Sequence, residues 1–599
     1  MKVVTDPAAK LMGRVLRLLR WRLWIQEKLQ PTEWQVTLLW AAFAGFLGAL
    51  SSLLFSAMAE GVHEFLTGST AGVVESMRQL PWWLCVLIPA VGGGLAGVVL
   101  KFGEIITQGK SSTDYMEAIV IGSGQVPVRA SLVKSGAALF SIGSGGSIGR
   151  EGPMVQLAAV VSSLVGRWRH FTAPQQRLLV ACGAAAGIAS AYNAPIAGSF
   201  FVAEIILGTI AMESLGPLAI AAVVAALTVR ALTNAAQLYQ VPTFKLASPW
   251  EMVPYVLLGF VAGALAPWFL RSLRRAESLF VATKLPTTVR LVIGGLIVGG
   301  IAVWRPEVCG NGYSVVVDIL NGSTKGIHVF GFRQIWLAVF VIMVCKWFAT
   351  ASSFGSGAPG GVFTPSLFMG ASAGYLFGTA VHNFWPTEDP RAFALVGMGA
   401  FLSAASRAPV MAVIMLFEMT LSYDIIMPLM VCNVIAYYTA KGLEESSLYS
   451  ESLKRKTAES APPFPVEARV ADLTRPKPPV LAPGARFAEI ARMFLNTAVN
   501  NLYVVDGAGK FLGVVSLHDI KPYLSEPALG ELVIARDILH EDFPRVRPDE
   551  RLTEALGGFL GVVAERLPVV DRDGKLLGSL AKGDLLLALV EKRKTPAIA

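Results

Sequence analysis

One carboxylate in this chain sits where a carboxylate is expensive. Glu151 lies in Gly149-Arg150-Glu151-Gly152-Pro153, between two apolar stretches. An ionisable side chain in such surroundings is a functional candidate by default, because its charged form is costly away from water. Its natural chemistry there is proton exchange. The residues around it point to a second chemistry. Pro153 suits the first turn of a helix, where its missing N–H is not needed. The glycines let backbone N–H groups face a ligand. A helix N-terminus carries free N–H groups and a partial positive charge, so it attracts anions. Gly360-Gly361-Val362-Phe363-Thr364-Pro365 repeats this design later in the chain. Two such N-termini meeting at one point would hold an anion without any full positive charge.

The elements that position these groups are duplicated as well. Asn193-Ala194-Pro195 and Glu204 follow the first motif, and Arg407-Ala408-Pro409 and Glu418 follow the second. Pro153 precedes Pro195 by 42 positions, Pro365 precedes Pro409 by 44, and each later proline precedes its glutamate by nine. One half of an apolar domain is therefore a diverged copy of the other. Gly/Pro-interrupted repeats of this kind place an ion or solute site where the halves meet. Glu204 and Glu418 hold equivalent places, and capping or bracing of helices is the plainer role for both.

Composition agrees with a membrane protein. The chain has 599 residues, 58 of them Gly, and only 16% are charged, with a mean hydropathy of +0.56; a soluble chain of this length carries more charge. Apolar runs occur at 36–58, 82–100, 252–270, 291–304, 335–350 and 425–438. Several are long enough for a hydrocarbon core of ~30 Å, which needs about 20 residues. The run at 154–166 is shorter and predicts a broken or re-entrant segment. Such backbone is tolerated only where protein buries it or it lines a wet cavity. Lys10, Arg14, Arg17, Arg20 and Arg22 lie on a Leu/Trp-rich stretch that predicts an amphipathic surface helix over 1–33. Further basic groups sit at Arg271, Arg274, Arg275, Lys284 and Arg290, and at Lys454, Arg455 and Lys456. The positive-inside rule puts all three places, and both termini, in the cytoplasm of a multi-pass protein of the plasma or inner membrane.

Other classes find little support. The net charge of +9 is explained by membrane-flanking basic residues rather than by nucleic acid. No compact apolar core followed by a small-residue cleavage site opens the chain, so no secretory signal is expected. Cys85, Cys182, Cys309, Cys345 and Cys432 are scattered, the six His do not cluster, and no metal site is expected. No Ser-His-Asp order or phosphate loop is visible, so the chain is not expected to be an enzyme.

After Tyr449 the character changes. Residues 451–466 are charged and then Pro-rich, which suits a linker. Beyond it, Asn501–Asp506 with Gly509–Gly513 and Arg566–Asp571 with Gly574–Gly578 repeat at an offset of 65, each reading strand, Gly turn, strand, helix. Amphipathic helices are predicted upstream, over 485–496 and 550–560. This tail resembles a tandem pair of CBS domains, over about 467–526 and 532–592. The resemblance implies an adenine nucleotide as a ligand, with Ser516 and Asp519 at the ribose; the second unit departs from the pattern, with Ala581 before Asp584. A dimerisation and gating module without ligand is the alternative.

The phrases GREGP (149–153), AYNAPIAG (191–198), GSGAPGGVFTP (355–365), SRAPVMAVIMLFEMT (406–420) and SLYS (447–450) together resemble the chloride channel (CLC) family of anion channels and anion/proton exchangers, over roughly 35–450. The resemblance implies a polytopic all-α membrane domain over 34–450, built from two inverted-topology repeats at about 34–240 and 250–450, with the α/β CBS pair attached. It implies a homodimer in the lipid bilayer that moves chloride or a similar monovalent anion, with protons as partners and no required cofactor. Glu151 matches the gating glutamate, Val362 and Phe363 the residues whose amides bind the central anion, and Tyr449 the tyrosine whose hydroxyl faces it. Ser111 matches the anion-binding serine, with Ser112 or Thr113 as replacements across a one-residue gap, and Asp114 stands where proline is usual. Gly122–Pro127 looks like that motif but lies too close to Glu151. The absence of Met at the serine position argues against fluoride. Proton-coupled members often carry a glutamate just after the position of Glu204; here Ile205 stands there, which tilts toward weak coupling and leaves Glu204 as a candidate internal proton site. An uncoupled voltage- or pH-gated chloride channel is the near alternative, and a membrane-anchored nucleotide sensor the distant one.

Overall fold

The computed structural model describes residues 33–107, 114–120, 122–233, 239, 249–322, 334–384, 389–444, 446–449, 469–476, 478–497, 499–517, 519–520, 523, 533–559 and 565–585. The expected helix over 1–33, the serines at 111 and 112, and the linker over 451–466 fall outside these, save for residue 33. The chain divides into two compact units, Met1–Lys456 and Thr457–Ala599.

The first unit is helical. Its elements are α1 (Glu33–Thr67), α2 (Val73–Gln79), α3 (Trp82–Thr107), α4 (Tyr115–Val120), α5 (Val128–Gly143), α6 (Glu151–Trp168), α7 (Ala173–Tyr192), α8 (Pro195–Phe200), α9 (Met212–Thr233), α10 (Met252–Ala282), α11 (Thr287–Trp304), α12 (Tyr313–Asn321), α13 (Ile335–Gly355), α14 (Phe363–Phe384), α15 (Pro390–Ser406), α16 (Pro409–Thr420) and α17 (Ile426–Leu443). Helix α8 runs on as a π-helical turn over Phe201–Leu207. Among the described helices, α1, α3, α9, α10, α11, α13 and α17 are long and apolar enough to cross a membrane. They keep large apolar side chains on the outside, such as Leu54, Trp82, Leu257, Phe348 and Met427. The run at 154–166 lies inside α6, whose Val155, Ala158, Ala159, Ser162 and Ser163 are buried by the neighbouring helices. The helix is continuous over this run rather than broken, and protein covers most of it, with Leu164 left exposed.

The duplication read in the sequence is a duplication of backbone. Helix α6 packs on α7, and its counterpart α14 packs on α15. Helix α7 starts with a capping box between Thr172 and Gln175 and ends at Asn193, which adopts φ 54°, ψ 35°. Helix α15 starts with the Asp389 carboxylate accepting the Arg391 amide and ends at Arg407, at φ 64°, ψ 31°. Both left-handed residues are followed by an alanine that the next proline forces out of the helical region, Ala194 at φ −126° and Ala408 at φ −128°. A new helix starts at each proline. Asn enters the left-handed region more readily than Arg. Arg407 is held there by its guanidinium, which donates to the carbonyls of Tyr437, Ala440 and Glu444 at 3.1, 2.8 and 2.6 Å and so closes the end of α17. Asn193 has the mirrored tie, accepting from Arg230 Nε of α9 at 2.8 Å.

In the second unit, α18 (Val470–Leu473), β1 (Val480–Leu481), α19 (Phe487–Asn496), β2 (Asn501–Val505) and β3 (Phe511–Ser516) precede α20 (Leu552–Gly558), β4 (Arg566–Val570) and β5 (Leu576–Ala581). Strand β2 pairs parallel with β1 and antiparallel with β3, and β4 pairs antiparallel with β5. The two hairpin turns are alike. The Asp506 carboxylate accepts the amides of Ala508 and Lys510, the Asp571 carboxylate those of Asp573 and Lys575, and Gly509 and Gly574 both sit at φ 82°. The turns also join the repeats, with the Phe511 amide donating to Gly574 O at 2.9 Å and the Leu576 amide to Gly509 O at 3.1 Å.

Candidate functional site

The two glycine-rich motifs meet. Gly149 and Gly361 form an antiparallel bridge, with N–H···O distances of 2.7 and 2.8 Å. The motifs are in register across it, so Arg150 corresponds to Val362, Glu151 to Phe363 and Pro153 to Pro365. Helices α6 and α14 therefore start at one point, inside the unit.

Glu151 is 4% exposed and its carboxylate lies against the first turn of α14. Oε1 accepts the Thr364 amide at 2.9 Å, the Tyr192 hydroxyl at 2.7 Å and the Thr364 hydroxyl. Oε2 has no hydrogen-bond partner among the described residues. Only glycine fits beside it. A Cβ at Gly149 would run into both carboxylate oxygens, and one at Gly361 would meet Oε2.

Val362 and Phe363 are buried, and their amides find no acceptor among the described residues. The Phe363 ring lies between Tyr192, 5.1 Å away centroid to centroid, and Phe201, at 6.4 Å. Tyr449 meets Phe201 edge-on at 5.5 Å, and the Leu448 amide pins that segment to Ala405 O at 2.9 Å. Glu151, Phe363 and Tyr449 thus belong to one cluster although some three hundred residues separate them in sequence. Pro153 and Pro365 each take the third position of their helix.

Ser111 and Ser112 lie outside the described residues, but the residues that follow are placed. Asp114 Oδ1 accepts the Tyr115 amide at 2.7 Å and starts α4. That amide also faces Gln156 Oε1 of α6 at 3.3 Å, and Gln156 Nε2 donates to Ser131 Oγ at 2.8 Å. The look-alike Gly122–Pro127 has a structural task. Its Gly124 carbonyl accepts Ser163 Oγ and Gln176 Nε2, and its Val126 amide donates to Ser163 Oγ, which ties the α4–α5 connection to α6 and α7.

Glu204 and Glu418 form a reciprocal pair. Glu204 accepts the Val410 and Met411 amides at 3.3 and 2.7 Å, in the first turn of α16. Glu418 accepts the Ile196 and Ala197 amides at 3.0 and 2.7 Å, in the first turn of α8. Each half caps the broken helix of the other half.

On one side Glu151 and Thr364 border a cavity of about 910 Å³, also lined by Glu60, His63, Arg78, Arg150, Tyr239 and Asp318. Beyond it Lys346 is fully buried, its Nζ donating to the carbonyls of Val308 and Gly310 at 2.7 and 2.6 Å. Sequence reasoning passed over Tyr192, Thr364, Gln156 and Lys346. The first two were visible as hydroxyl-bearing residues inside quoted motifs.

The family described as "Voltage gated chloride channel" matches residues 91–441, and CBS domains match 470–526 and 535–591. A chloride channel protein described as ClcB-like, from Ralstonia nicotianae, is 46% identical over 421 residues, covering 69% of this chain and 96% of that one. The chain belongs to the CLC family. The voltage-gated ClC-type chloride channel ClcB of Citrobacter koseri is 40% identical, again over 69% of this chain and 98% of its own. Among solved structures, a slow cyanobacterial Cl⁻/H⁺ antiporter superposes with a TM-score of 0.61 at 24% identity, over 71% of this chain and 98% of that one. A eukaryotic CLC transporter does so with a TM-score of 0.63 at 18% identity, over 92% and 97%. These two establish the fold. CLC membership makes the protein a multi-pass channel or transporter and not an enzyme.

In the CBS tail, Ser516 and Asp519 are tied to each other. The Ser516 amide donates to Asp519 Oδ2 at 3.1 Å, and His540 Nε2 lies 2.9 Å from the same oxygen. In the second repeat Asp584 is held by Arg475 through two hydrogen bonds of 2.8 and 3.0 Å.

Proposed function

We propose that this protein carries chloride, or a similar monovalent anion, through the junction of α6 and α14, with Glu151 as the gate. One observation carries the reading. A buried carboxylate rests on the Thr364 amide at the α14 N-terminus, beside the amides of Val362 and Phe363, which have no acceptor among the described residues. The carboxylate stands where an anion would stand. When charged it competes with the permeant ion for the helix N-terminus. When protonated it loses that attraction and can leave. Val362, Phe363 and Tyr449 then face the ion, and Ser111 or Ser112 is the serine expected from the family resemblance to join them.

Protons are thus ligands of the gate in either form of the mechanism. A chloride/proton exchanger needs in addition a proton route to the other side. Glu204 is the candidate station on that route. Both of its oxygens are engaged with α16, and Ile205 follows it, which favours bracing over shuttling and weak coupling over tight. The assembly is a homodimer. Exposed apolar side chains on α8, α9, α16 and α17, among them Ile196, Leu227, Val410 and Met430, supply a face for a second copy. Both termini face the cytoplasm of the inner or plasma membrane, and the CBS pair regulates flux, with adenine nucleotide at Ser516 and Asp519.

The test is simultaneous recording of chloride and proton movement from proteoliposomes under a chloride gradient. Chloride efflux with uphill proton uptake identifies an exchanger. Chloride efflux alone identifies an uncoupled channel or transporter. Absence of chloride efflux sinks the assignment of chloride.

A further inference from the structure

Glu151 is held by more than backbone. The Tyr192 hydroxyl, at the end of α7, donates to Oε1 at 2.7 Å. The Thr364 hydroxyl, in the first turn of α14, donates to the same oxygen. The two hydroxyl oxygens lie 3.0 Å apart. Both side chains are buried, Tyr192 being 4% exposed and Thr364 likewise 4%. Neither hydroxyl is required by packing. A phenylalanine at 192 would keep the ring contact with Phe363, and a small apolar residue would continue α14 at 364.

We propose that Tyr192 and Thr364 are positioning residues that latch the charged form of Glu151 in its closed place and so set the pH at which the gate opens. The proposal rests on the reading of Glu151 as the gate. Its physics is specific to charge. A carboxylate accepts both hydroxyl protons on Oε1, and hydrogen bonds to an ionised acceptor are about twice as strong as neutral ones. Once Oε1 or Oε2 is protonated, the same two hydroxyls have only a neutral acid to face. The latch therefore favours the charged, closed state. Oε2 is left without a partner among the described residues, on the side of the two bridging glycines, and is the oxygen free to take the proton.

Other groups share the neighbourhood and must be counted. Arg150 precedes Glu151 and lies 3.7 Å from Glu60 across the cavity. Tyr239 and Tyr449 lie buried near Glu151, and His63, Arg78, Tyr313 and Asp318 line the cavity that it borders. None of these groups donates a hydrogen bond to its carboxylate among the described residues. The latch is thus confined to two hydroxyls on two helices, one from each half of the repeat.

The sign of the effect follows. Removing a donor to the charged form makes protonation easier, so the gate opens at higher pH. A hydrogen bond to a charged group corresponds to a shift of roughly one pH unit or more. The experiment is chloride efflux from proteoliposomes of the full-length chain, measured across pH, for Tyr192→Phe, Thr364→Val, Thr364→Ser and Glu151→Gln. The expected result is that Tyr192→Phe and Thr364→Val each move the midpoint up by about one unit, while Thr364→Ser, which keeps its hydroxyl, returns it to the wild-type value. A purely structural role would change the amount of flux without moving the midpoint. Midpoints of Tyr192→Phe and Thr364→Val that stay with the wild type overturn the latch, provided that Glu151→Gln has flattened the profile. A Glu151→Gln protein that keeps its pH dependence overturns the gate reading itself, and the latch with it.

Discussion

Removing the Glu204 carboxylate separates a brace from a proton station. In the brace, two amides of the first turn of α16 donate to it, at 3.3 and 2.7 Å. Each hydrogen bond to a charged acceptor contributes about 1.5–3 kcal/mol. The 3.3 Å contact is long, and the site is half-buried, so solvent screens part of this. Glu204→Ala should then cost roughly 2–4 kcal/mol. Glu204→Gln keeps one oxygen for Met411 but turns an amino group toward Val410, so about half that cost is expected. Glu418→Ala should match Glu204→Ala, because it removes the mirrored caps on Ile196 and Ala197 at 3.0 and 2.7 Å. The assay is denaturant unfolding of the purified protein in detergent, with chloride and proton fluxes recorded on the same preparations. Stability should fall in the order wild type, Glu204→Gln, Glu204→Ala, while the ratio of protons to chloride in Glu204→Gln stays that of the wild type. A Glu204→Gln protein of unchanged stability that has lost proton movement would refute the bracing argument and make Glu204 the internal proton site.

Three further outcomes are expected. Gly361→Ala places a methyl group against Glu151 Oε2 and should expel the carboxylate, so chloride efflux at alkaline pH rises toward its acidic value; a wild-type pH profile would contradict the crowding. Lys346→Met leaves the carbonyls of Val308 and Gly310 without their donor and should destabilise the first unit by roughly 2–6 kcal/mol, at ~1–3 kcal/mol for each buried group left unpaired; an unchanged unfolding midpoint in detergent would show that those carbonyls find other partners. Millimolar AMP should raise the melting temperature of the full chain, and Asp519→Ala should abolish that rise; the absence of a rise in the wild type would leave the CBS pair without its nucleotide.

The duplicated backbone was legible because it is written in residues with few alternatives. Pro195 and Pro409 suit the first turn of a helix and push Ala194 and Ala408 out of the helical region, so their spacing marks the breaks. The glycines at 149 and 361 were legible for the same reason, although not that they pair with each other, since a bridge between distant segments leaves no local pattern. The reciprocal caps of Glu204 and Glu418 followed the repeat once it was seen, but the partners did not, because the amides that bind a carboxylate are supplied by any residue type. Tyr192 and Thr364 escaped notice for a different reason. A buried hydroxyl reads as neutral packing until its acceptor is known, and the acceptor lies in another segment of the fold. Arg407 at a left-handed position ran against local preference, and only three carbonyls at the end of α17 account for it.

The most direct measurement is chloride efflux from proteoliposomes as a function of pH, for the wild type beside Glu151→Gln. A neutral glutamine cannot hold the α14 N-terminus as a carboxylate does. The expected result is a wild-type efflux that rises as pH falls and a Glu151→Gln efflux that is high and flat across the same range. A Glu151→Gln profile as steep as that of the wild type would contradict the assignment of the gate.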